Sequence, residues 1–333
     1  MKKNIVLLCA VLVLNPFLFA KKSKQPAWIL NPYAGYEESK YIAASAGGKT
    51  TEDADKKAIT SAAAIVIQDI NAEESVTQND SGDGTNLTSY LANIRTNSKL
   101  KDLSGMSIKD RWTAKDGTVY SRAVLDKTTA ARHYSVLLNK NSMEIETLIE
   151  ESEKKLVSFD SCKLLIKAYS LAEENDYYAG LLSVLQPSAH HIFSYGSPAA
   201  IESKLRAALS KITVAVNVSG DTDNRLAAAA SSVITGFGIG TEKSAKASNA
   251  VYTLNVNAIY EDLEKSAASD IYFTRSIVNC ALIENSDGKE ILSVSSNSRQ
   301  GKLSRKEAVQ SAVRSAERSI TEDFAAKFGE LFN

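Results

Sequence analysis

Histidine and cysteine are scarce in this 333-residue chain: His133, His190 and His191, and Cys9, Cys162 and Cys280. No CxxC and no Cys/His spacing of the kind that holds zinc is present. Cys162 and Cys280 fall in different predicted regions, so no disulfide is expected, and the chain is not a small cystine-stapled scaffold. An excess of one charge is also missing, with 39 Lys+Arg against 39 Asp+Glu. No overall basic field is available to attract nucleic acid or an anionic membrane. No serine has the GxSxG context of a hydrolase elbow. What is present is average: 44% hydrophobic and 23% charged residues, enough for large cores, in a length that suits two or three domains.

The amino terminus reads as an export signal. Lys2 and Lys3 precede an unbroken apolar run, Ile5 to Leu14, and Asn15-Pro16 and Phe17-Leu18-Phe19-Ala20 follow. Ile5 to Ala20 is shorter than the roughly 20 residues that span a bilayer as a helix. Cleavage after Ala20 is expected, and retention as an anchor is the alternative that Lys21, Lys22 and Lys24 favour. Lipidation needs a cysteine just after the apolar run. Cys9 lies inside the run behind Leu7-Leu8, so no lipid anchor is expected.

Three regions follow, and the predicted class is α+β. Region one, 27–127, opens with a strand at Tyr41–Ala46 that ends in Gly47-Gly48. A helix capped by Thr50 comes next, with Ala54, Ala58, Ala62, Ile65, Val66 and Ile70 on one face. Strands at Met106–Ala114 and Thr118–Leu125 are joined by Lys115-Asp116-Gly117, a hairpin signal. Region two, 128–210, is a helical hairpin with a third helix restarted by Ser197-Pro198, and is expected to space the flanking domains. Its first helix carries Tyr134, Leu137, Leu138, Ile145, Leu148, Ile149 and Leu156 on one face. Glu144, Glu146, Glu150 and Glu151 form a face that reads as solvated and, in a sharper version, as a salt-sensitive docking surface. Region three, 211–333, alternates strand, helix and strands. It closes with a helix capped by Ser304 and Glu307 and striped by Val309, Val313, Ala316, Ile320, Phe324, Phe328 and Leu331.

Candidate chemistry is thin. Gly236-Phe237-Gly238-Ile239-Gly240 follows a helix instead of a strand, so it reads as a helix end, not a nucleotide loop. Asp221-Thr222-Asp223-Asn224 lacks the glycine and glutamate of a calcium hand, and Asp223 or Asn224 is expected to cap the next helix. Asp80 and Asp83 belong to a polar loop. His190-His191 lacks a third ligand. Trp28 and Trp112 read as structural anchors. We therefore assign no catalytic, cofactor-binding or metal-binding residue, and no cofactor.

Region one resembles the Lpp-twenty family, named for a twenty-kilodalton bacterial envelope lipoprotein. The likeness rests on Pro26-Ala27-Trp28, the strand at Tyr41 with Gly47-Gly48, the Ala54/Ala58/Ala62 helix, Trp112, Asp116-Gly117-Thr118-Val119-Tyr120 and Val124-Leu125-Asp126. The family's lipidated cysteine is missing here. Region three is similar in element order to the small α+β domains of envelope-assembly proteins, including flagellar outer-ring proteins and penicillin-binding-protein activators. These resemblances imply a periplasmic or outer-membrane-associated, non-enzymatic scaffold or adaptor. Its partners would be other envelope proteins, with peripheral association to the outer membrane or peptidoglycan and no nucleic acid. Activation of a peptidoglycan synthase is the alternative, and a carboxylate-dependent hydrolase comes third.

Overall fold

The structure, a computed structural model, describes residues 24–74, 85–99, 103–188, 191–221, 223–243, 249–263 and 270–332. The export signal, the loop that carries Asp80 and Asp83, and His190 lie outside the described residues. The chain is an α+β protein that divides into two compact units. One holds residues up to 63 with 106–125, and the other holds 64–105 with 126 to the end.

In the first unit β1 (Tyr41–Gly48), β2 (Ser107–Thr113) and β3 (Val119–Asp126) form a sheet of order β1-β3-β2, with β2 and β3 antiparallel. The hairpin is a three-residue loop. Ala114 donates to the Thr118 carbonyl at 2.8 Å, and Gly117 takes the left-handed conformation at φ +89° that a residue with a Cβ resists. Helix α1 (Thr51–Glu74) starts at Thr50, whose hydroxyl accepts from the Asp53 N–H at 3.2 Å. Glu52 and Asp53 sit in the first turn, where the helix dipole favours negative charge. Ala54, Ala58 and Ala62 are fully buried. A Cβ on Gly48 would lie 2.5 Å from the Ala54 nitrogen, so only glycine lets β1 end this close to α1.

The second unit takes α1 from residue 64 onward and then four more helices: α2 (Asn86–Lys99), α3 (Lys127–Lys154), α4 (Phe159–Leu185) and α5 (Pro198–Leu209). Asp126, Ser158 and Ser197 cap the last three through their side chains. Then come β4 (Thr213–Ser219), α6 (Arg225–Thr235), β5 (Gly240–Lys243), β6 (Tyr252–Leu263), β7 (Tyr272–Glu284) and β8 (Glu290–Lys302). The chain ends in α7 (Arg305–Ser319), a π turn at Ile320–Phe324 and α8 (Ala325–Glu330). The sheet has order β5-β4-β6-β7-β8, with β4 parallel to β5 and β6 and the remaining neighbours antiparallel.

Four local expectations change. First, the helical region is not a separate hairpin, because α4 is buried on several sides. Phe159, Leu165, Tyr169, Tyr178 and Leu182 are buried around its circumference, which marks a central helix. Ile145 and Leu148 of α3, Phe159 to Ala172 of α4, and Ile201, Leu205 and Leu209 of α5 share one core with the sheet, so this region does not stand apart as a spacer. Phe159 stacks on Tyr252 at 4.3 Å, and its N–H donates to the Tyr252 hydroxyl at 3.0 Å. Second, α3 stops at Lys154, and Leu156 is 89% exposed.

Third, the carboxy-terminal stripe is Ala308, Ala312, Ala316, Ile320, Phe324, Phe328 and Phe332, while Val309 and Val313 are half-buried and flank it. A strict four-residue repeat drifts on a helix of about 3.6 residues per turn. The wider π turn at Ile320–Phe324 rotates less per residue and returns the stripe to the core. Fourth, α6 is capped from farther back than expected. Asp221 accepts from the N–H groups of Arg225 at 3.1 Å and Ala227 at 2.9 Å, whereas Asn224 sits at φ 57° with no capping bond. Gly220 makes this possible at φ +76°, where any Cβ would fall 1.9 Å from the Ala258 carbonyl oxygen.

Candidate functional site

The residue types that carry chemistry are dispersed. His133 is exposed against the Tyr134 ring. His191 is half-buried, and its Nε2 has no hydrogen-bond partner among the described residues. Cys162 and Cys280 are free and buried, and burial pushes both thiols up to about 11, so neither is a ready nucleophile. Among the described residues no group of three or more His, Cys, Asp or Glu side chains could hold a metal ion. Gly236 ends α6 and Gly238 takes φ +77° on the way into β5. The acidic face of α3 is largely engaged. Glu144 pairs with Lys167 at 2.6 Å, Glu146 accepts from the Ser194 hydroxyl, and Glu150 pairs with Lys154 at 3.4 Å.

Sequence reasoning missed one buried cation and one half-buried one. In the first unit the Arg122 side chain is 7% exposed. Its Nε donates to Asp110 at 2.7 Å, and one terminal nitrogen donates to the carbonyls of Pro32 at 3.1 Å and Ala34 at 2.7 Å. Its guanidinium carbon lies 4.8 Å from the Tyr36 ring centre and 5.6 Å from that of Trp28. Arg122 thus ties the segment before β1 to the sheet and has little donor capacity left for a ligand. In the second unit Arg95 reaches Glu173 at 3.2 Å and Tyr169 at 3.3 Å. Burial and the adjoining Glu173 raise the Tyr169 phenol. Both clusters hold elements together.

A cavity of about 320 Å³ is lined by Ser152, Lys155, Ser161, Lys204 and Lys211, and Glu153 occupies Lys204 at 2.8 Å. Its serines are committed inward. The Ser152 hydroxyl donates to the Ser161 carbonyl at 3.0 Å, and the Ser161 hydroxyl donates to that of Ser158 at 2.8 Å.

The five-stranded sheet presents an exposed polar face. Even-numbered residues of β6, β7 and β8 face the helices. Ser296 meets Ser319 at 2.8 Å, Ser311 donates to Gln300 at 3.3 Å, and Val278, Cys280 and Leu282 are buried. Odd-numbered residues face the other way. The register aligns them in rows: Asn217, Asn255, Ala281, Ser293; then Ser219, Asn257, Asn279, Ser295; then Ile259, Ile277, Asn297; then Glu261, Arg275, Arg299. Ser219 and Ser295 donate to Asn257 and Asn279, each at 2.7 Å, and Asn217 donates to Asn255 at 3.2 Å. Ile259 is 42% exposed, and Arg299 lies 3.9 Å above the Phe273 ring. Such a face offers many neutral hydrogen bonds around a small apolar centre. Its carboxylate, Glu261, is paired with Arg275 at 3.7 Å. The chemistry suits recognition of an extended surface.

The edges of this sheet differ. β5 is four residues long, whereas β8 is thirteen. Backbone direction alternates along a strand. In β7 the N–H of Glu284 donates toward β8, to the Lys289 carbonyl, while that of Asn285 donates toward β6, to the Val251 carbonyl. Even residues of β7 therefore bond β8. Their partners from Leu292 to Lys302 are also even. It follows that Ser293, Ser295, Asn297, Arg299 and Gly301 point their N–H and C=O groups off the edge of the sheet.

No family model and no curated protein matches the chain. Among solved structures, the secreted protein HP1454 from Helicobacter pylori aligns with 85% of this chain and 98% of its own, at 13% identity and a TM-score of 0.43. A minor lipoprotein from Acinetobacter baumannii aligns with 36% of this chain and 89% of its own, at 14% identity and a TM-score of 0.26. Among the described residues no helix is long and apolar enough to cross a membrane.

Proposed function

We propose that the protein is a non-enzymatic scaffold of the bacterial envelope that binds other envelope proteins through the helix-free face of its five-stranded sheet. The carrying observation is that face itself, with its aligned Asn and Ser rows around Ile259 and Ile277. The export signal over residues 1–20 supports the compartment, and fractionation with amino-terminal sequencing tests it. Recovery of an intact Met1 chain in the cytosol would overturn that part. For the face, crosslinked complexes from envelope extracts are compared between the native chain and an Ile259→Lys/Asn279→Lys variant. Loss of the recovered partners with the variant, at unchanged folding, is the expected result. A flagellar ring component among them favours an assembly role, and a peptidoglycan synthase favours an activator. Full recovery with the variant removes the face from the proposal.

A further inference from the structure

The edge of the sheet carries a second inference, independent of what the face binds. We infer that β8 is the pairing strand of a symmetric dimer, in which two copies of this chain join antiparallel about Asn297 to make one continuous ten-stranded sheet.

An uncovered edge strand is a template for another strand, and proteins that must avoid this blunt their edges with short strands, proline, inward charges or bulges. β8 has few of these defences. It has no proline, and from Ile291 to Ser298 it carries no charge. Its one register irregularity falls near Ile291, at its very start, and the ladder to β7 runs unbroken from Leu292 to Lys302. The outward groups belong to Ser293, Ser295, Asn297, Arg299 and Gly301, whose side chains are compact apart from Arg299. The opposite edge strand, β5, has four described residues.

Charge selects both the occupant and the direction. A parallel second copy would stack Arg299 on Arg299 and Lys302 on Lys302. An antiparallel copy separates them and turns the basic end of one strand, Arg299 and Lys302, toward the end of the other that carries Asp287 and Glu290 beside Lys289. The only antiparallel register that uses all five outward residues places Asn297 opposite its own copy, Ser295 opposite Arg299 and Ser293 opposite Gly301. No like charges then face each other. The two-fold axis stands perpendicular to the sheet, so both polar faces lie on the same side and the platform doubles in width.

Cysteine crosslinking of the exported chain, Lys21 onward, tests the register. In the inferred dimer the two Asn297 Cα atoms are about 5.5 Å apart, as in a hydrogen-bonded antiparallel pair, within the about 4.4–6.8 Å that a disulfide spans. The two Ser293 positions are separated by about 26 Å along the strands. Cys162 and Cys280 are buried and contribute no background. Asn297→Cys should therefore give a disulfide-linked dimer on mild oxidation, and Ser293→Cys should not. Sedimentation equilibrium of the native chain should give twice the monomer mass. Asn297→Pro removes an N–H that β7 does not use, and should weaken association at least tenfold with an unchanged melting curve. Should that variant fold poorly, Asn297→Lys opposes two like charges across the axis and should give the same loss. A native chain that stays monomeric at its highest soluble concentration, or Ser293→Cys crosslinking as readily as Asn297→Cys, overturns the inference.

Discussion

The two sheets of this protein are held by different means. The three-stranded sheet of the first unit is pinned by charged groups. Arg122 is enclosed by Asp110, two carbonyls and two aromatic rings, and Asp55 accepts from Arg111 at 2.7 Å and Ser121 at 2.6 Å. The five-stranded sheet rests on a ring-packed apolar core in which Phe159, Phe237, Phe328 and Phe332 meet at 5.2–5.8 Å. The contrast follows from size. A small unit buries a smaller fraction of its surface, so each directional contact carries more of its stability. A large core gains roughly 1.5–3 kcal/mol for each buried phenylalanine and needs fewer pins.

The comparison can be broken most sharply at Phe324, which is fully buried. Phe324→Asp places an unpaired charge in the large core and should cost more than about 4 kcal/mol. Both tryptophans, Trp28 and Trp112, lie in the first unit. Tryptophan fluorescence should therefore stay near native while far-UV circular dichroism falls. Joint loss of both signals would show that the units unfold as one. Val313→Asp, at a half-buried position, should cost clearly less.

Next in size, Arg122→Ala should destabilise the first unit by about 2–4 kcal/mol, because it strands Asp110 and two carbonyls and opens the aromatic sandwich. Urea unfolding followed by fluorescence reads this directly, and an unchanged midpoint would mean that the cage is ornamental. Tyr252→Phe tests a polar contact in the large core. It removes the acceptor of the Phe159 N–H and should cost about 1–2 kcal/mol by the same titration read by circular dichroism.

The smallest effect is at Asp55. The hydrogen bonds from Arg111, joined by that from Ser121, hold its carboxyl below the usual range. Its folded value is depressed, so its contribution is complete above the unfolded value near about 4 and disappears as pH falls through the folded value. Asp55→Asn should cost less than about 1 kcal/mol at pH 7, and the gap from the native chain should close between pH 4 and 2. A gap that stays constant with pH would remove the charge from the explanation.

Much of the secondary structure was legible because its signals are local. Thr50, Ser197-Pro198 and Ser304 mark helix starts that the structure keeps, and Asp116-Gly117 marks a true hairpin. What escaped depends on contacts distant in sequence. An arginine on a strand reads as exposed, and residues distant in sequence, Trp28, Pro32, Ala34, Tyr36 and Asp110, explain why Arg122 is not. The burial of α4 on several sides follows from neighbours as far away as Tyr252 and Phe328. The π turn shifts a stripe whose residue types are legible but whose phase is not. The candidate surface was least legible of all. Alternation identifies two faces of a strand, yet strand order alone decides that β8 ends at an edge.

The two thiols give the fold a chemical consequence. For a chain read as exported, the surroundings oxidise exposed cysteines, and Cys162 on α4 and Cys280 on β7 escape only while they are buried. Thiolate is the reacting species, and while burial holds each thiol at about 11 very little of it exists. Each opening of the large core therefore starts a clock. A molecule that recloses quickly keeps its thiols, whereas one that lingers open is trapped as a crosslinked or oxidised species. Reduced thiols in the recovered protein would thus record how seldom, and how briefly, that core has come apart.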